Sequence, residues 1–134
     1  MIVEFVVYGK PRGKARPRFT RQGNRAYTPK ETKLYEQQIA KAYRLAANGF
    51  TFGECPVEIW VTAVFPKAKT SKKKHPTVKP DVDNVLKAVF DGLNGIAYSD
   101  DKQIVTATIH KCFCMLEGEE PRILVTVTEY KGDE

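Results

Sequence analysis

Residues 83–93 place Val85, Leu86, Val89, Phe90 and Leu93 on one stripe of a helix, and Asp83, Lys87 and Asp91 on the opposite side. With Asp83 at the angular zero of an ideal helix, Lys87 falls at about 40°, Asp91 at about 80° and the centre of the apolar stripe at about 270°. A helix divided in this way must lie with one face on an apolar surface. Four β-branched runs supply that surface. Ile2 to Val7 reads as a strand stopped by Gly9-Lys10-Pro11, and Pro56 to Phe65 as a second strand stopped by Pro66. Ile104 to Phe113 and Ile123 to Tyr130 are two more, joined by the acidic turn Glu117-Gly118-Glu119-Glu120. Another helix is signalled at Thr28-Pro29-Lys30-Glu31, with Thr28 as N-cap, Pro29 at the first helical position and Glu31 closing a capping box. Leu34, Tyr35, Gln38, Ile39, Ala42 and Leu45 or Ala46 follow at helical spacing as far as Asn48-Gly49. The order β-α-β-α-β-β predicts an α+β fold, or mixed α/β, with two helices packed on one sheet. The 134 residues fit one domain spanning 1–134.

No run of about 18 apolar residues is present, and Met1-Ile2-Val3-Glu4-Phe5 lacks the basic start of a secretory signal. The expectation is a soluble, cytoplasmic protein with no membrane partner. Cys55, Cys112 and Cys114 are odd in number and without paired spacing, which argues for reduced thiols rather than a disulfide framework.

The net charge of +6 conceals a segregation. Residues 10–30 carry Lys10, Arg12, Lys14, Arg16, Arg18, Arg21, Arg25 and Lys30 and no acid; residues 67–79 carry Lys67, Lys69, Lys72, Lys73, Lys74 and Lys79, again with none. These two segments hold 14 of the 22 basic residues. A single lysine run is compatible with mere solvation, whereas two acid-free segments in one small domain point to a phosphate backbone as partner. Residues 10–30 show no apolar period, and a structureless loop of that length is uncommon in a compact domain unless it has a function. Arg16-Pro17-Arg18-Phe19 and Arg25-Ala26-Tyr27 alternate guanidinium groups with aromatic rings, suited either to phosphate contact with base stacking or to anchoring the loop on the core.

Against this background stand five carboxylates within 21 residues: Asp81, Asp83, Asp91, Asp100 and Asp101. Carboxylates repel a polyanion unless a divalent cation lies between them. Oxygens from Asp81 and Asp83, joined by one or two from Asp100 and Asp101, suit an octahedral Mg²⁺ or Mn²⁺ that keeps several waters. Such an ion activates a water and orients a phosphodiester, while Lys87 stabilises the charge that develops during cleavage. Each residue also has a plainer role: Asp83 with Asn84 as helix caps, Asp83 with Lys87 as an i,i+4 pair. An EF-hand is excluded, because counting from Asp81 puts Leu86 where that loop needs Gly and Gly92 where it needs Glu. No P-loop, HExxH, Cys-His zinc pattern or GxSxG nucleophile occurs, and His75 and His110 are isolated.

The block Asp81-Val82-Asp83-Asn84-Val85-Leu86-Lys87, followed by Asp100-Asp101-Lys102-Gln103, resembles the RusA type of Holliday-junction resolvase. The resemblance implies a small homodimeric α/β unit and Mg²⁺- or Mn²⁺-dependent, paired incision of four-way DNA junctions in recombination and repair. By position it implies Asp81, Asp83 and Asp101 as essential carboxylates and Lys87 as the essential lysine; Asp100 and Asp91 match further family positions. Arg12, Lys14, Arg16, Arg18, Arg21, Arg25, Lys67, Lys69, Lys72, Lys73, Lys74 and Lys79 are the candidate DNA contacts. Two other readings stand beside this one. Pro80-Asp81 with Glu129-Tyr130-Lys131 matches the loose PD…ExK pattern of restriction-like nucleases. A non-catalytic DNA-binding or phage-encoded accessory protein would use the acids to cap helices or to repel wrong partners.

Overall fold

Strand β1 (Ile2–Tyr8) buries Val3, Phe5 and Val7 and turns the residues between them outward, the period-two pattern of a strand with one face on a core. The same alternation recurs in β6 (Arg122–Glu129), which buries Ile123, Val125 and Val127, and in β4 (Val57–Phe65), where Ile59, Val61 and Ala63 point the same way. In the computed structural model, which describes residues 1–15, 18–20, 23, 26–27 and 29–132 (backbone only for Arg18 and Tyr27), these strands join β5 (Ile104–Phe113) in one sheet of order β1-β6-β4-β5. Strand β4 is parallel to β5 and antiparallel to β6, and β6 is antiparallel to β1. The parallel pair requires a crossover, which helix α2 (Val82–Leu93) supplies. The predicted α+β class and order of main elements hold.

Helix α1 (Lys30–Ala47) and α2 cover one face of the sheet. Helix α2 buries Val85, Ala88, Val89, Gly92 and Leu93, so its predicted stripe faces the core, except that Leu86 and Phe90 are only partly covered. Each fully buried aliphatic side chain contributes about 1.5–3 kcal/mol relative to exposure. Where α1 crosses α2, a Cβ on Gly92 would stand 2.9 Å from Cβ and Cγ2 of Ile39 and 3.2 Å from the Glu36 carbonyl oxygen. Only glycine permits this approach, and the approach brings Glu36 beside Asp91.

Three local expectations need correction. Helix α1 begins at Lys30, so Pro29 stands at the N-cap rather than at the first helical position. Thr28, and with it the expected capping box to Glu31, lies outside the described residues. The apolar stripe of α1 is also rotated: Tyr35, Ile39, Tyr43 and Ala47 are buried, while Leu34 and Leu45 stand 47% and 75% exposed. The aromatic residues win because the gap between α1 and the sheet is filled by rings, Tyr43 meeting Phe5 edge to face at 6.2 Å. Finally, the segment expected to be structureless carries a two-residue antiparallel ladder between β2 (Arg18–Phe19) and β3 (Ala26–Tyr27).

Candidate active site

After Leu93 the chain leaves α2, turns through Gly95 and returns buried at Ala97 and Tyr98. Tyr98 Oη donates to the Phe90 carbonyl at 3.0 Å, which pins the returning chain to the last turns of α2. The Asp101 amide then donates to Asn94 Oδ1 at 3.0 Å. A short 3₁₀ turn, Asp101–Gln103, follows, and its capping box explains the DD-x-Q pattern. Asp100 Oδ1 accepts from the Lys102 amide at 3.0 Å, and Gln103 Oε1 accepts from the Asp100 amide at 2.9 Å. Gln103 Nε2 donates to the Gly53 and Cys55 carbonyls at 2.8 and 2.9 Å, fixing the turn to the chain before β4.

Lys87 reaches across this end of the helix. Its Nζ lies 3.3 Å from Asp91 Oδ1 and 3.8 Å from Asp101 Oδ2, so it pairs with Asp91 and Asp101 rather than with Asp83. Lysine side chains on a helix lean towards its N-terminus, but two carboxylates on the C-terminal side outweigh one on the other. Lys14 Nζ completes the row, 2.7 Å from Glu36 Oε2 and 3.1 Å from Asp91 Oδ2. Charges thus alternate along Glu36, Lys14, Asp91, Lys87 and Asp101. Burial alone would lower the Lys14 pKa, but its hydrogen bonds to Glu36 and Asp91 and their charges prevail and raise it. Burial also pushes the Tyr98 hydroxyl well above the ordinary tyrosine value, reinforced by the charges of Asp101, Asp91 and Asp100. The Lys102 amide holds the Asp100 carboxyl below the usual carboxylate range, helped by Asp101 and by the Lys102 charge.

The other end of α2 differs. Asp81 is the N-cap residue but makes no side-chain cap hydrogen bond. Among the described residues, neither Asp81 nor Asp83 forms a side-chain hydrogen bond or ion pair, and both are exposed. The capping reading of Asp83 with Asn84 therefore fails: α2 begins at Val82, so both lie within the helix, and Asp81 at the cap position makes no side-chain cap bond. The position of Asp81 and Asp83 is nevertheless set firmly. Lys111 Nζ donates to the carbonyls of Val78 and Pro80, at 2.9 Å for Pro80, and lies 5.1 Å from the centre of the Phe65 ring. On the other side, the Lys14 amide donates to the Asn84 carbonyl at 3.0 Å, and a Cβ on Gly13 would stand 2.8 Å from Asn84 Cβ and 2.9 Å from Pro80 Cβ.

Asp81 and Asp83 supply the hard oxygen donors that Mg²⁺ takes, and that ion needs only one or two carboxylates with waters and substrate phosphates. The predicted set adds Asp100 and Asp101, which the chain brings back beside α2 after Tyr98. Asn94 anchors the Asp101 amide just beyond the end of α2, and the Asp101 carboxylate turns back to Lys87, one helical turn from Asp83. Among the described residues no three acidic, histidine or cysteine side chains converge to hold a metal ion. Asp83 and Asp81 fit a cation; Asp100 serves as a cap and Asp101 as a partner of Lys87.

Among the predicted DNA contacts, Lys67, Lys69, Lys72, Lys73, Lys74 and Lys79 are exposed on the segment between β4 and α2, and none forms an ion pair among the described residues. Arg12 is exposed, whereas Lys14 has intramolecular partners. Arg16, Arg21, Arg25 and the Arg18 side chain lie outside the described residues. Reading the sequence did not find Glu36, Asn94 or Lys111 as parts of this arrangement; only the DD-x-Q spacing hinted at the turn. The PD…ExK alternative loses its geometry. Glu129 pairs with Val57, while Lys111, which holds Pro80, pairs with Ala63. The two positions are about 20 Å apart along β4.

No helix among the described residues is long and apolar enough to cross a membrane. The uncharacterized protein YqaN of Bacillus subtilis (strain 168) is 31% identical over 140 residues, covering 95% of this chain and 96% of that protein. The family described as Endodeoxyribonuclease RusA matches residues 8–128. With a match over nearly the whole length, and with the free Asp81 and Asp83 carboxylates beside a pinned Lys87, the chain belongs to the RusA family of endodeoxyribonucleases.

Proposed function

We propose that this chain is a Mg²⁺-dependent, structure-selective endonuclease that resolves four-way DNA junctions by paired incision, acting as a homodimer in recombination and repair. The observation that carries this reading is the pair of partnerless carboxylates, Asp81 and Asp83, one to two helical turns from Lys87 on an otherwise charge-compensated helix face. Two free carboxylates at a surface meant for DNA raise its repulsion, and a divalent cation removes that cost. Mg²⁺, with Mn²⁺ as a substitute, would be held by Asp81 and Asp83 and would supply Lewis-acid stabilisation and a more acidic water.

The chain's own residues do the rest. Lys87, oriented by Asp91 and Asp101, presents an ammonium group at a fixed position to charge that develops on the phosphoryl oxygens. The segment Lys67–Lys79 binds the phosphate backbone and sets its register without touching the reacting atoms. A junction presents two symmetric strands, and a two-fold dimer presents two identical sites to them. Mixing the purified protein with a synthetic four-way junction and a matched linear duplex, with Mg²⁺ or with EDTA, tests the reading. Paired cuts in the junction with Mg²⁺ and none with EDTA are expected. Cutting that persists in EDTA, or that is equal on both substrates, refutes it.

A further inference from the structure

Strand β5 breaks its own pattern at one place. In the register with β4, its residues Ala107, Ile109, Lys111 and Phe113 stand opposite Ile59, Val61, Ala63 and Phe65, all of them buried on the helix-covered side of the sheet. Residues paired across two strands share a face, so a period-two reading asks for an apolar side chain at 111, and the chain supplies a lysine. Lys111 is half-buried there. An ammonium on the core side of a sheet costs free energy unless polar groups receive it, and a sequence that breaks its local pattern in this way does so mostly for function.

Lys111 forms no ion pair among the described residues. Its Nζ donates instead to the backbone carbonyls of Val78 and Pro80, at 2.9 Å for Pro80, and rests 5.1 Å from the centre of the Phe65 ring. The Pro80 carbonyl belongs to the same planar peptide as the Asp81 nitrogen, so holding it orients the residue that follows. On its other side Asp81 is held by α2, where its carbonyl accepts from the Val85 amide at 3.1 Å. Asp81 is thus fixed before and after, with its carboxylate free. The beginning of the basic segment is tied to the same two strands, since Lys67 Nζ lies 5.7 Å from the centre of the Phe113 ring, and Phe113 pairs with Phe65. A lysine kept only for solubility needs neither a seat on the core side nor two carbonyls.

We propose that Lys111 is a positioning residue for the cleavage site: it holds the Val78 and Pro80 carbonyls so that the Asp81 carboxylate stands where, with Asp83, it takes a divalent cation. The inference rests on the proposed nuclease function and adds to it a residue, distant in sequence, on which cation affinity depends.

Lys111→Met keeps an unbranched apolar stem against Phe65 and removes the ammonium, whereas Lys111→Arg keeps a cationic donor. Mn²⁺ binding to the DNA-free protein, followed by the electron paramagnetic resonance signal of the free ion, should weaken about tenfold in Lys111→Met, as when a group that orients a metal ligand is lost. Lys111→Arg should recover most of that loss, and Asp81→Asn marks the signal expected without the site. The Mg²⁺ concentration that gives half-maximal junction cleavage should rise by the same factor. Junction affinity in EDTA should stay within about twofold, because a lysine engaged with the protein's own carbonyls adds little to counterion release. The thermal melt should remain cooperative. Unchanged cation dependence in Lys111→Met, in binding and in cleavage, overturns the positioning role alone. A loss that Lys111→Arg shares, or that comes with a lost cooperative melt, marks a role in the fold only and overturns it as well. A wild type that binds no Mn²⁺ and cuts in EDTA removes the metal-dependent reading itself, and this inference with it.

Discussion

The two ends of α2 carry the same residue type with opposite fates. At the C-terminal end Asp91 is held by Lys14 and Lys87, Asp101 by Lys87 and the Asn94 side chain, and Asp100 by the Lys102 amide. At the N-terminal end Asp81 and Asp83 have no partner among the described residues, although their backbone is clamped by Lys111 and Gly13. Compensated carboxylates stabilise a fold; uncompensated ones on a rigid backbone cost stability and persist where an external cation repays them. Under the proposed function, Asp81 and Asp83 carry the chemistry and Asp91 holds Lys87.

The largest expected effect separates the ends directly. Asp83→Asn should reduce junction cleavage at least about a hundredfold, as expected when an electrostatic contact to the reacting centre is lost, with a melting temperature that is unchanged or higher. Single-turnover cleavage and a thermal melt on the same preparation check both halves. If Asp83→Asn cuts normally and melts lower, the roles of the two ends are reversed.

The contrast extends to the cations, since Lys14 and Lys87 are paired whereas Lys72, Lys73 and Lys74 form no ion pair among the described residues. If about 6 phosphates are neutralised in the complex, log affinity falls against log salt with a slope of roughly −5. Replacing the three lysines by alanine should flatten that slope by up to about 3, while cleavage at saturating protein and low salt survives. A salt titration that returns the wild-type slope places this segment away from the DNA.

A smaller effect is expected from Asp91→Asn, which leaves Lys14 with Glu36 alone and releases one side of Lys87. These pairs are partly screened, so the loss is about 1 kcal/mol, or a fall of about 3–5 °C in melting temperature for a chain of this size. A melt unaffected by the substitution would show that the row of alternating charges contributes nothing to the fold. The smallest effect belongs to Asp100, whose folded-state pKa lies below its ordinary value of 3.8. A depressed carboxylate stabilises the fold above its unfolded pKa and loses that contribution as pH falls through the folded value. Wild-type stability should therefore drop below about pH 4 a little more steeply than that of Asp100→Asn, which denaturant melts across that range would detect.

Much of this was legible from spacing. The stripe of Val85, Val89 and Leu93 gave the core face of α2, and the alternation of strand residues gave the main strands. The Lys87–Asp91 pair follows from residues four apart on one helix, which are neighbours wherever the helix lies. By contrast, Leu34 and Leu45 looked like core and are exposed, because apolar character alone does not decide which residues of α1 meet the rings of Phe5 and Tyr43. Asp83 with Lys87 was an equally good i,i+4 pair on paper, and only the return of Asp101 draws the lysine the other way.

The sequence by itself determined the order of the main elements, the segregation of basic charge and the acidic block around α2, because propensity, periodicity and composition act between near neighbours. The tertiary structure decided which carboxylates are satisfied. Lys14 and Glu36 reach Asp91 through a helix crossing that Gly92 permits, and the Asp101 carboxylate reaches Lys87 through the returning turn after Tyr98. Those outcomes depend on packing between segments far apart in the chain, at a scale of one missing Cβ.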